Sequence, residues 1–561
     1  MKRALLKGVA LSIAALLGSH VSAAERPNIL LIVADDLGYS DTQPFGGEIP
    51  TPSLQQLADQ GVRLTNFYAG PTCSVTRSML LSGVDNHLAG MGTMLEHRQP
   101  EQVGKPGYEG YLNKRVASLA ELLSDNGYHT YMAGKWHLGR ESGQDPKSRG
   151  FERSFVLVPG GAGHFDDAMS MYPADREKRT GIGKAPYLED GKPTELPKGF
   201  FSSAFYTDRM IEYIEQGRND SRPFFGYLAY TAPHWPLQVP EADLERFRGR
   251  YAEGYEALRQ ERLKRMRSEG IVAPGTQANT PLEDKLPRWE ELTDEERQQQ
   301  ARTMELYAAL VANMDQHIGR LLAYLESTKQ LDNTFILFMS DNGAEGNSME
   351  ALGLADWVKV TFDNSLQNMG RKNSYLLQGP QWAQVSSTPF PYYKGFAARG
   401  SINVPAIVRF PGTGKPGSID AKLLNVMDVV PTALELAGVT YPSTRQGNDL
   451  LPLQGRSMLT ALAGKAQPDR ALGMEYNGRR SLLKGDWGIL MQAPPFGTGK
   501  WELYNLKDDP SALHDLATAK PEKVKELAAD WDTYARDNGV VLSKQNVRYG
   551  YMSCLFGRCV E

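Results

Sequence analysis

Short apolar runs that alternate with helical segments constrain the fold of this chain more than any other feature. The first run, PNILLIVADD at residues 27–36, is continuously apolar, as strands of a parallel sheet are. In the helical segment that follows, Thr51 is placed to cap the helix, Pro52 to begin it and Gly61 to end it. The strand pattern recurs in YHTYMAGK, FFGYLAYTAPH, TFILFMSDNG and NVPAIVRF. This alternation predicts an α/β fold with a large, mainly parallel sheet flanked by helices.

Composition divides the chain into regions of different character. Residues 1–24 have basic residues, an apolar run and then small residues, which is the layout of a secretory signal peptide. We expect residues 25–465 to form the main domain, with a charged, solvated helical insertion at about 241–300. Strand-like runs and a last helical segment predict a smaller C-terminal α+β domain with an antiparallel sheet at residues 466–561.

The bulk properties exclude some classes of partner. The 561 residues carry a net charge of −4, so the chain lacks the basic excess of a nucleic-acid-binding protein. After the signal peptide, no segment is apolar for long enough to span a bilayer. We therefore expect an exported protein without a membrane anchor, located in the periplasm, although full secretion fits the same signal.

Acidic and amide side chains follow two of the predicted strands directly. The first run ends in Asp35 and Asp36, and TFILFMS is followed by Asp341 and Asn342. Because the carboxyl ends of parallel strands meet at one edge of a sheet, we expect these side chains to lie close together. Their oxygen ligands suit a hard cation, Ca²⁺ in preference to Mg²⁺. Any one of these pairs could also be an ordinary turn or cap.

Cationic and proton-transferring groups follow other strands. YHTYMAGK ends in Lys135 and is followed by His137, FFGYLAYTAP leads to His234, and Lys394 lies in PYYKGFAARG. Around a divalent cation, such groups would neutralise an anionic ester and protonate its leaving group. The remaining histidines in the main domain have no comparable context, and we expect them to be structural: His87, His97, His129, His164 and His317.

The three cysteines fall into two groups. Cys554 and Cys559 are close enough in sequence to pair in a small loop, which an oxidising compartment favours. Cys73 is then left over, beside Arg77, at the predicted start of a helix. Such a cysteine is either a functional thiol or a buried, inert residue, and counting alone leaves both open.

Taken together, the motifs ILLIVADDLGYSD, CSVTRS, MAGKWHLG, APHWP and MSDNGAEG resemble the type I sulfatases, in particular the bacterial periplasmic arylsulfatases. The resemblance runs from about residue 27 into the C-terminal region. It implies an alkaline-phosphatase-like fold and hydrolysis of sulfate monoesters with one Ca²⁺ per chain. It also implies that a maturation enzyme converts Cys73 to Cα-formylglycine. The family signature C-x-P-x-R is matched at Cys73 and Arg77, whereas Val75 stands at the proline position.

The resemblance also implies a role for each matching residue. One hydroxyl of a hydrated aldehyde at Cys73 would attack sulfur, and the second would expel sulfate. Lys135 and Lys394 would bind sulfate oxygens. Arg399, in the same loop as Lys394, is the alternative candidate for the role of Lys394. Arg77 would hold the formylglycine. The implied metal ligands are Asp35, Asp36, Cys73, Asp341 and Asn342.

Proton transfers complete the implied chemistry. Asp341 would take the proton from the attacking hydroxyl. His234 would protonate the leaving oxygen, and His137 would assist the second step. The substrate would be a small sulfate ester, and we expect the protein to act as a monomer.

Two other functions fit parts of the pattern. A phosphonate or phosphate ester hydrolase of the same superfamily would share the fold and could share the formylglycine, although paired-zinc phosphatases should show more His and Asp ligands. A sulfatase-like binding protein without turnover would result if Val75 prevented modification of Cys73. The mass of the peptide that contains Cys73 separates this last hypothesis from an active enzyme.

Overall fold

The computed structural model describes residues 26–543 and 553–560 of the chain. The predicted signal peptide, residues 1–24, lies outside these described residues. Within them, no helix has both the length and the apolar character that crossing a membrane requires.

A mixed sheet of ten strands forms the centre of the fold. Five neighbouring strands in its middle run parallel. The prediction of a large, mainly parallel sheet is therefore confirmed. In spatial order the strands are Ser418–Asp420, Val62–Leu64, Ala406–Arg409, Thr334–Ser340, Asn28–Ala34, Phe224–Ala229, His129–Lys135, Arg153–Leu157, Tyr187–Glu189 and Lys192–Thr194.

Side chains of the central strand Asn28–Ala34 alternate between two hydrophobic cores, one on each face of the sheet. This alternation follows from the two-residue period of a strand and explains why the run is apolar throughout. The helices that cover one face are Pro52–Gln60, Ser202–Gly217 and Asp294–Ser327. The helices that cover the other face are Cys73–Ser82, Leu119–Ser124 and Val429–Ala437.

A second, antiparallel sheet lies in the C-terminal part of the chain. Its strands are Ala471–Tyr476, Arg479–Lys484, Trp487–Met491 and Glu502–Asn505. The helix Pro521–Asp537 packs on this sheet through Leu527 and Trp531. The predicted antiparallel sheet and final helix are thus present, and the domain boundary near residue 465 stays a prediction.

A small hairpin of Ser553–Leu555 and Arg558–Val560 lies near the end of the chain. A disulfide joins Cys554 to Cys559 across this hairpin, the pairing that their spacing favours. Leu555 packs into the main hydrophobic core on one face of the large sheet. The hairpin therefore returns the C-terminal segment to the main domain.

The charged insertion is less solvated than predicted. Its longest helix wholly within residues 241–300 is Gly254–Ser268, and Arg262 on that helix is fully buried. The Arg262 guanidinium forms ion pairs with Asp41 and with Glu48, at 2.5 and 2.7 Å. The charge density of this segment reflects buried ion pairing to the main domain as well as a solvated face.

The remaining elements are short. The remaining α-helices are Asn86–Ala89, Glu241–Leu244, Ala355–Thr361, Pro380–Ser386, Arg399–Ile402 and Leu459–Leu462. The remaining strands pair as Phe67–Tyr68 with Leu424–Asn425, Met169–Asp175 with Thr180–Lys184, and Thr444–Arg445 with Asn448–Asp449.

Candidate active site

The site lies at the carboxyl edge of four adjacent parallel strands: Thr334–Ser340, Asn28–Ala34, Phe224–Ala229 and His129–Lys135. Their registers bring the last residues of these strands level, since Ala34 pairs with Ser340 and Ala229 pairs with Gly134. The residues that follow therefore emerge at one rim, where open α/β sheets bind their ligands. They are Asp35, Asp36, His137, His234, Asp341 and Asn342, and Lys135 is the last residue of its own strand.

Two of the carboxylates at this rim are each paired with a buried cation. The ammonium of Lys135 donates to both oxygens of Asp35, at 2.9 and 2.7 Å. Two nitrogens of the Arg77 guanidinium donate to one oxygen of Asp341, at 2.9 and 2.7 Å. All four side chains are fully buried. Burial alone would raise the pKa of Asp35, but the positive charges around it, that of Lys135 foremost, together outweigh this effect and hold that pKa below its ordinary value.

Asp36 is at the centre of the remaining contacts. The Asn342 amide nitrogen donates to one of its oxygens at 2.7 Å, and the Lys394 ammonium lies 2.8 Å from the carboxylate. The ammonium of Lys394 also lies 3.1 Å from Glu345. Asp36 has a left-handed backbone with φ of 66°, which is uncommon for a residue other than glycine. This conformation turns the chain sharply at the strand end.

Cys73 is the first residue of the helix Cys73–Ser82, all of whose residues are buried. Its thiol donates to Asp36 across 3.8 Å. Burial, and next the negative charge of Asp341, raise the pKa of the Cys73 thiol well above its ordinary value. The thiol therefore stays protonated in this environment, although it lies at the positive end of a helix.

The oxygen donors at the rim fit a hard cation, whereas the thiol of Cys73 and the imidazole of His234 are softer ligands. One ligand atom from each of Asp35, Asp36, Cys73 and His234 lies within 4.8 Å of the others. The carbonyl oxygen of the Asn342 side chain is buried and has no hydrogen-bond partner among the described residues. A buried carbonyl oxygen beside carboxylates is a ligand type that Ca²⁺ prefers.

The predicted ligand set and this group of four share Asp35, Asp36 and Cys73 and differ in three residues. The structure adds His234 to the group, because its Nε2 lies 3.5 Å from an oxygen of Asp36. It places Asp341 beside the group, with one oxygen bound by Arg77 and the other accepting the Asp36 backbone N–H at 3.3 Å. The ligand roles of all five predicted residues stay predictions.

His234 is held tightly on the loop that follows its strand. Its Nδ1 lies 2.6 Å from the Trp235 carbonyl oxygen, and its own carbonyl oxygen lies 3.0 Å from Nε2 of His164. His164 is thus structural, as expected. Burial, with the charges of Lys394 and Lys135, lowers the pKa of His234 to about 3 against the opposing effect of Asp35. The ring is neutral here, and an anion bound beside it would favour the protonated form.

The structure separates Lys394 from its competitor Arg399. Lys394 points into the site, whereas Arg399 donates to the carbonyl oxygen of Pro510 and to the side chain of Asn66. The guanidinium of Arg399 also lies over the ring of Phe390, 4.1 Å from its centre. Of the two residues, Lys394 is therefore the one that faces the site, and its sulfate-binding role stays a prediction.

Two buried or nearly buried glutamates belong to the site and were missed in the sequence. Glu345 accepts from Lys394 and from the Trp235 indole, and Glu96 lies 3.5 Å from Nε2 of His137. Glu345 could have been suspected, because it lies in MSDNGAEG directly after a strand end. Glu96 lies on the short turn Leu95–His97, and no local sequence pattern points to it.

The other histidines divide between two settings. His87, His129 and His317 contact acidic or basic side chains away from the site: Asp85 and Glu475, Glu152 and Asp220, and Arg320, respectively. His97 lies closer than expected, because Lys394 and Glu345 are near enough to affect its pKa. Burial lowers the pKa of His97 to about 4, and Lys394 contributes to this shift. Its Nδ1 lies 2.8 Å from the hydroxyl of Tyr476.

The fold and this rim of carboxylates and cations define a hydrolase of the alkaline-phosphatase-like class. The model of the sulfatase family matches residues 27–439. An arylsulfatase of Klebsiella aerogenes is 40% identical over 485 residues, which cover 86% of this chain and all of that protein. An uncharacterized sulfatase of Schizosaccharomyces pombe is 44% identical over 532 residues, covering 92% of this chain and 95% of that protein.

Solved structures share the fold over most of the chain. The crystal structure of Ps i-CgsB has a TM-score of 0.65 at 23% identity and covers 92% of this chain and 94% of that one. The PsFucS1 sulfatase from Pseudoalteromonas sp. has a TM-score of 0.59 at 19% identity, and the match covers 91% of this chain and 90% of that one. The chain belongs to the sulfatase family, and it is a sulfuric ester hydrolase. The resemblance and the fold predicted from the sequence are confirmed.

Proposed function

We propose that this protein is an exported arylsulfatase that uses a Cα-formylglycine at position 73 and one Ca²⁺ ion. The observation that supports this most strongly is the setting of Cys73. Three buried carboxylates and three buried cations surround the first residue of a buried helix, and Asn342 offers an unpartnered carbonyl oxygen beside them. A protonated thiol has no evident use in such a polar site, whereas an oxygen nucleophile does.

The two groups that the proposal adds have defined chemistry. A hydrated aldehyde at position 73 supplies the oxygen nucleophile. The Ca²⁺ ion, which Asp35, Asp36, Asp341 and Asn342 would hold with residue 73, supplies positive charge for the nucleophile and for the sulfate oxygens.

The side chains around these groups neutralise and orient the substrate. Lys135 and Lys394 place two ammonium groups at the rim, where they can bind sulfate oxygens. Arg77 holds Asp341 and also donates to the Lys135 carbonyl oxygen at 2.8 Å, so it fixes the end of that strand. We expect His234 to protonate the leaving oxygen once the anionic sulfate ester is bound beside it.

We expect an aryl leaving group to lie next to His234, beside an aromatic cluster. The indole of Trp235 stacks on the His234 ring, with ring centres 5.2 Å apart. Trp235 belongs to a separate apolar cluster, which includes Met171, Trp357 and Tyr375. Aromatic and sulfur-containing side chains pack well against an aryl ring. The similarity to an arylsulfatase points to the same substrate class.

Export and maturation belong to the same proposal. The N-terminal signal favours the periplasm, and a disulfide between Cys554 and Cys559 is compatible with that oxidising compartment. A formylglycine-generating enzyme would act on Cys73 before folding buries it. We propose that the mature protein acts as a monomer on small sulfate esters.

The mass of the tryptic peptide LTNFYAGPTCSVTR, from protein made in its own host, tests the modification. We expect the mass change that exchange of CH₂SH for CHO produces, in a large fraction of the peptide. A peptide that carries only the thiol would contradict the formylglycine proposal and would favour a protein that binds sulfate esters without turnover.

Matched substrates and chelation test the reaction and the ion. We expect hydrolysis of 4-nitrophenyl sulfate to exceed hydrolysis of 4-nitrophenyl phosphate and of an aryl phosphonate. Chelation should abolish this activity, and Ca²⁺ should restore it better than Mg²⁺. Higher activity on the phosphorus esters, or activity that chelation leaves unchanged, would contradict the proposal.

A further inference from the structure

His137 is held in an unusual backbone conformation at the end of its strand. Its φ is 57°, in the left-handed region that residues other than glycine seldom adopt. Such outliers persist only where the surrounding structure imposes them, and they concentrate at functional sites. The contacts of the His137 ring are therefore informative.

The ring is confined on one side by the loop that follows the strand Arg153–Leu157. A Cβ atom added to Gly160 would lie 2.7 Å from Cε1 and 2.9 Å from Nε2 of His137, closer than real side-chain contacts allow. The loop can approach the imidazole this closely only because residue 160 is glycine.

Glu96 confines the ring on another side. Its Oε1 lies 3.5 Å from Nε2 of His137, and the same oxygen is paired with the guanidinium of Arg140. The Glu96 side chain is 12% exposed and that of Arg140 is 35% exposed, so Glu96 lies between a buried imidazole and a partly solvated cation. A carboxylate in this position favours the tautomer with hydrogen on Nε2 and stabilises a protonated ring.

The turn that carries Glu96 is fixed from the C-terminal sheet. Glu96 lies on the turn Leu95–His97, and Nδ1 of His97 lies 2.8 Å from the hydroxyl of Tyr476 on the strand Ala471–Tyr476. The turn that carries the carboxylate is thus held by a contact between two residues that are 379 positions apart in sequence.

The other nitrogen of the ring is available for chemistry. Both ring nitrogens of His137 are buried, and neither makes a hydrogen bond with another described residue. At 3.5 Å the contact with Glu96 is an ion-pair distance that can shorten when the ring is protonated. With hydrogen on Nε2, the lone pair on Nδ1 can accept a proton from a substrate or nucleophile hydroxyl.

We propose that Glu96, held by Arg140, is a positioning residue that sets the tautomer of His137 and stabilises its protonated form during turnover. This inference rests on the proposed function, in which His137 assists the step after the aryl alcohol has left. In that step the proton of the free hydroxyl on sulfated residue 73 would move to Nδ1 of His137. The electron pair left on that oxygen would form the C=O bond of the aldehyde, and the C–O bond to sulfate would break and release the sulfate dianion. Glu96 balances the positive charge on His137 without itself being protonated.

The first test observes the imidazole without any turnover. We would label histidine with ¹⁵N, assign His137 by comparison with His137→Gln, and record ring-nitrogen shifts of the unmodified Cys73 protein. We expect the Nε2–H tautomer in the wild type and a mixture of tautomers in Glu96→Gln. Glu141→Gln, which changes an exposed glutamate beside Arg140, is the matched control. An unchanged tautomer in Glu96→Gln would overturn the proposal.

The second test separates the two halves of the reaction. In a two-step mechanism, slowing only the step after alcohol release lowers kcat and KM together and leaves kcat/KM unchanged. We expect this pattern in Glu96→Gln, with kcat at least about tenfold lower. Glu96→Asp should recover part of kcat because it keeps the charge, and Arg140→Gln should show the same pattern more weakly.

The outcomes distinguish this inference from the proposed function. If wild-type protein with the aldehyde does not cleave aryl sulfates, the proposed function fails, and the tautomer measurement still decides the role of Glu96. If the wild type is active but Glu96→Gln lowers kcat/KM as strongly as kcat, or leaves kcat unchanged, Glu96 has no such positioning role. Melting temperatures of all variants show whether a loss reflects unfolding.

Discussion

At the scale of single residues, the site depends on pairing each buried carboxylate with a buried cation. Asp35 has Lys135, Asp341 has Arg77, and Lys394 lies between Asp36 and Glu345. Removing one partner of a buried pair leaves an uncompensated charge, which is strongly unfavourable. In the proposed function Lys135 and Lys394 also bind sulfate oxygens, so we expect stability and activity to be coupled here.

The first prediction concerns Lys394. We expect Lys394→Met to lower kcat/KM for an aryl sulfate at least about 100-fold, because an ammonium aimed at the sulfate oxygens is lost. Inhibition by inorganic sulfate should weaken in parallel. The melting temperature should also fall, since Asp36 and Glu345 then face each other without that cation.

Lys422→Met is the matched control, because Lys422 pairs with Asp420 on the surface and is 39% exposed. Its kcat/KM should equal that of the wild type. Equal kcat/KM for Lys394→Met and Lys422→Met would show that Lys394 does not contact the sulfate.

The second prediction concerns Val75, the third residue of the helix Cys73–Ser82. In the first turn of a helix the N–H groups have no helical acceptor, so proline removes no helical hydrogen bond there. We expect Val75→Pro to keep the melting temperature close to that of the wild type. It should raise the formylglycine fraction measured by peptide mass after co-expression with a formylglycine-generating enzyme.

Arg77→Lys is the comparison variant. It changes a position at which the chain already matches the C-x-P-x-R signature, so it should not raise the formylglycine fraction. If Val75→Pro and the wild type were converted to the same extent, proline at this position would be irrelevant to maturation of this chain.

At the scale of elements, the disulfide-closed hairpin supports the loop that carries Lys394. The hydroxyls of Ser553 and Tyr393 lie 2.5 Å apart, and Tyr393 directly precedes Lys394. Cys554 is buried, and Leu555 enters the main core. The hairpin therefore links the disulfide-closed C-terminal segment to the side of the site that carries Lys394.

The third prediction follows from this contact. We expect the double variant Cys554→Ser, Cys559→Ser to lose about 2 kcal/mol of stability, as estimated for a closed loop of this length. The KM for aryl sulfates should rise, because the Tyr393–Lys394 loop loses part of its support. Thermal unfolding and steady-state kinetics measure the two effects.

Reduction of the wild type with dithiothreitol should reproduce both effects, whereas the double variant should not respond to the reductant. A reduced wild type with an unchanged melting temperature and an unchanged KM would show that the hairpin is not coupled to the site.

At the scale of the whole molecule, a buried polar cluster joins the main domain to the C-terminal sheet and helix. His87 lies between Asp85 and Glu475, at 2.9 and 3.2 Å, and the hydroxyl of Tyr534 donates to Asp85. The ring of Tyr108 packs against His87 at 5.9 Å. Burial alone would lower the pKa of His87, but the two carboxylates raise it to about 9.

The fourth prediction is the pH dependence of this cluster. A folded-state pKa of about 9 lies above the ordinary value of 6.5, so protonated His87 stabilises the fold fully below pH 6.5. This stabilisation, of the order of 3 kcal/mol, is lost as the pH rises through about 9. We therefore expect the free energy of unfolding of His87→Gln to approach that of the wild type as the pH increases.

Urea unfolding at pH 6, 7.5 and 9.5 measures this difference. His514→Gln is the control, because the His514 side chain is 77% exposed and should add no pH-dependent stability. A stability difference between His87→Gln and the wild type that stays constant over this range would show that the charge of His87 does not contribute.

Local patterns made much of the fold and part of the site predictable. Apolar runs marked the central strands, and polar residues directly after them marked Asp35, Asp36, Asp341 and Asn342. Strand ends are readable in this way because the apolar core stops abruptly at the edge of a parallel sheet. The start of the Pro52–Gln60 helix was predictable for a similar reason, since Thr51 and Pro52 carry their own conformational preferences.

Other features depend on contacts that no local pattern encodes. NVPAIVRF reads as another apolar strand, yet Ala406–Arg409 pairs antiparallel with both neighbours because of how the chain returns to the sheet. Arg262 lies in a charge-rich segment that predicts a solvated face, yet it is buried, where it forms ion pairs with Asp41 and Glu48 of the main domain. Pairing partners of this kind are set by elements distant in sequence.

The sequence by itself determined the sheet, the strand-end carboxylates and the cysteine that begins a helix, because each follows from apolar periodicity and adjacent residues. The tertiary structure alone decided which cations pair with those carboxylates. It turned Lys394 into the site and Arg399 away from it, and brought Glu345 and Glu96 beside Lys394 and His137. The physical reason is that buried charges are satisfied in three dimensions, by whichever partners packing brings within a few ångströms.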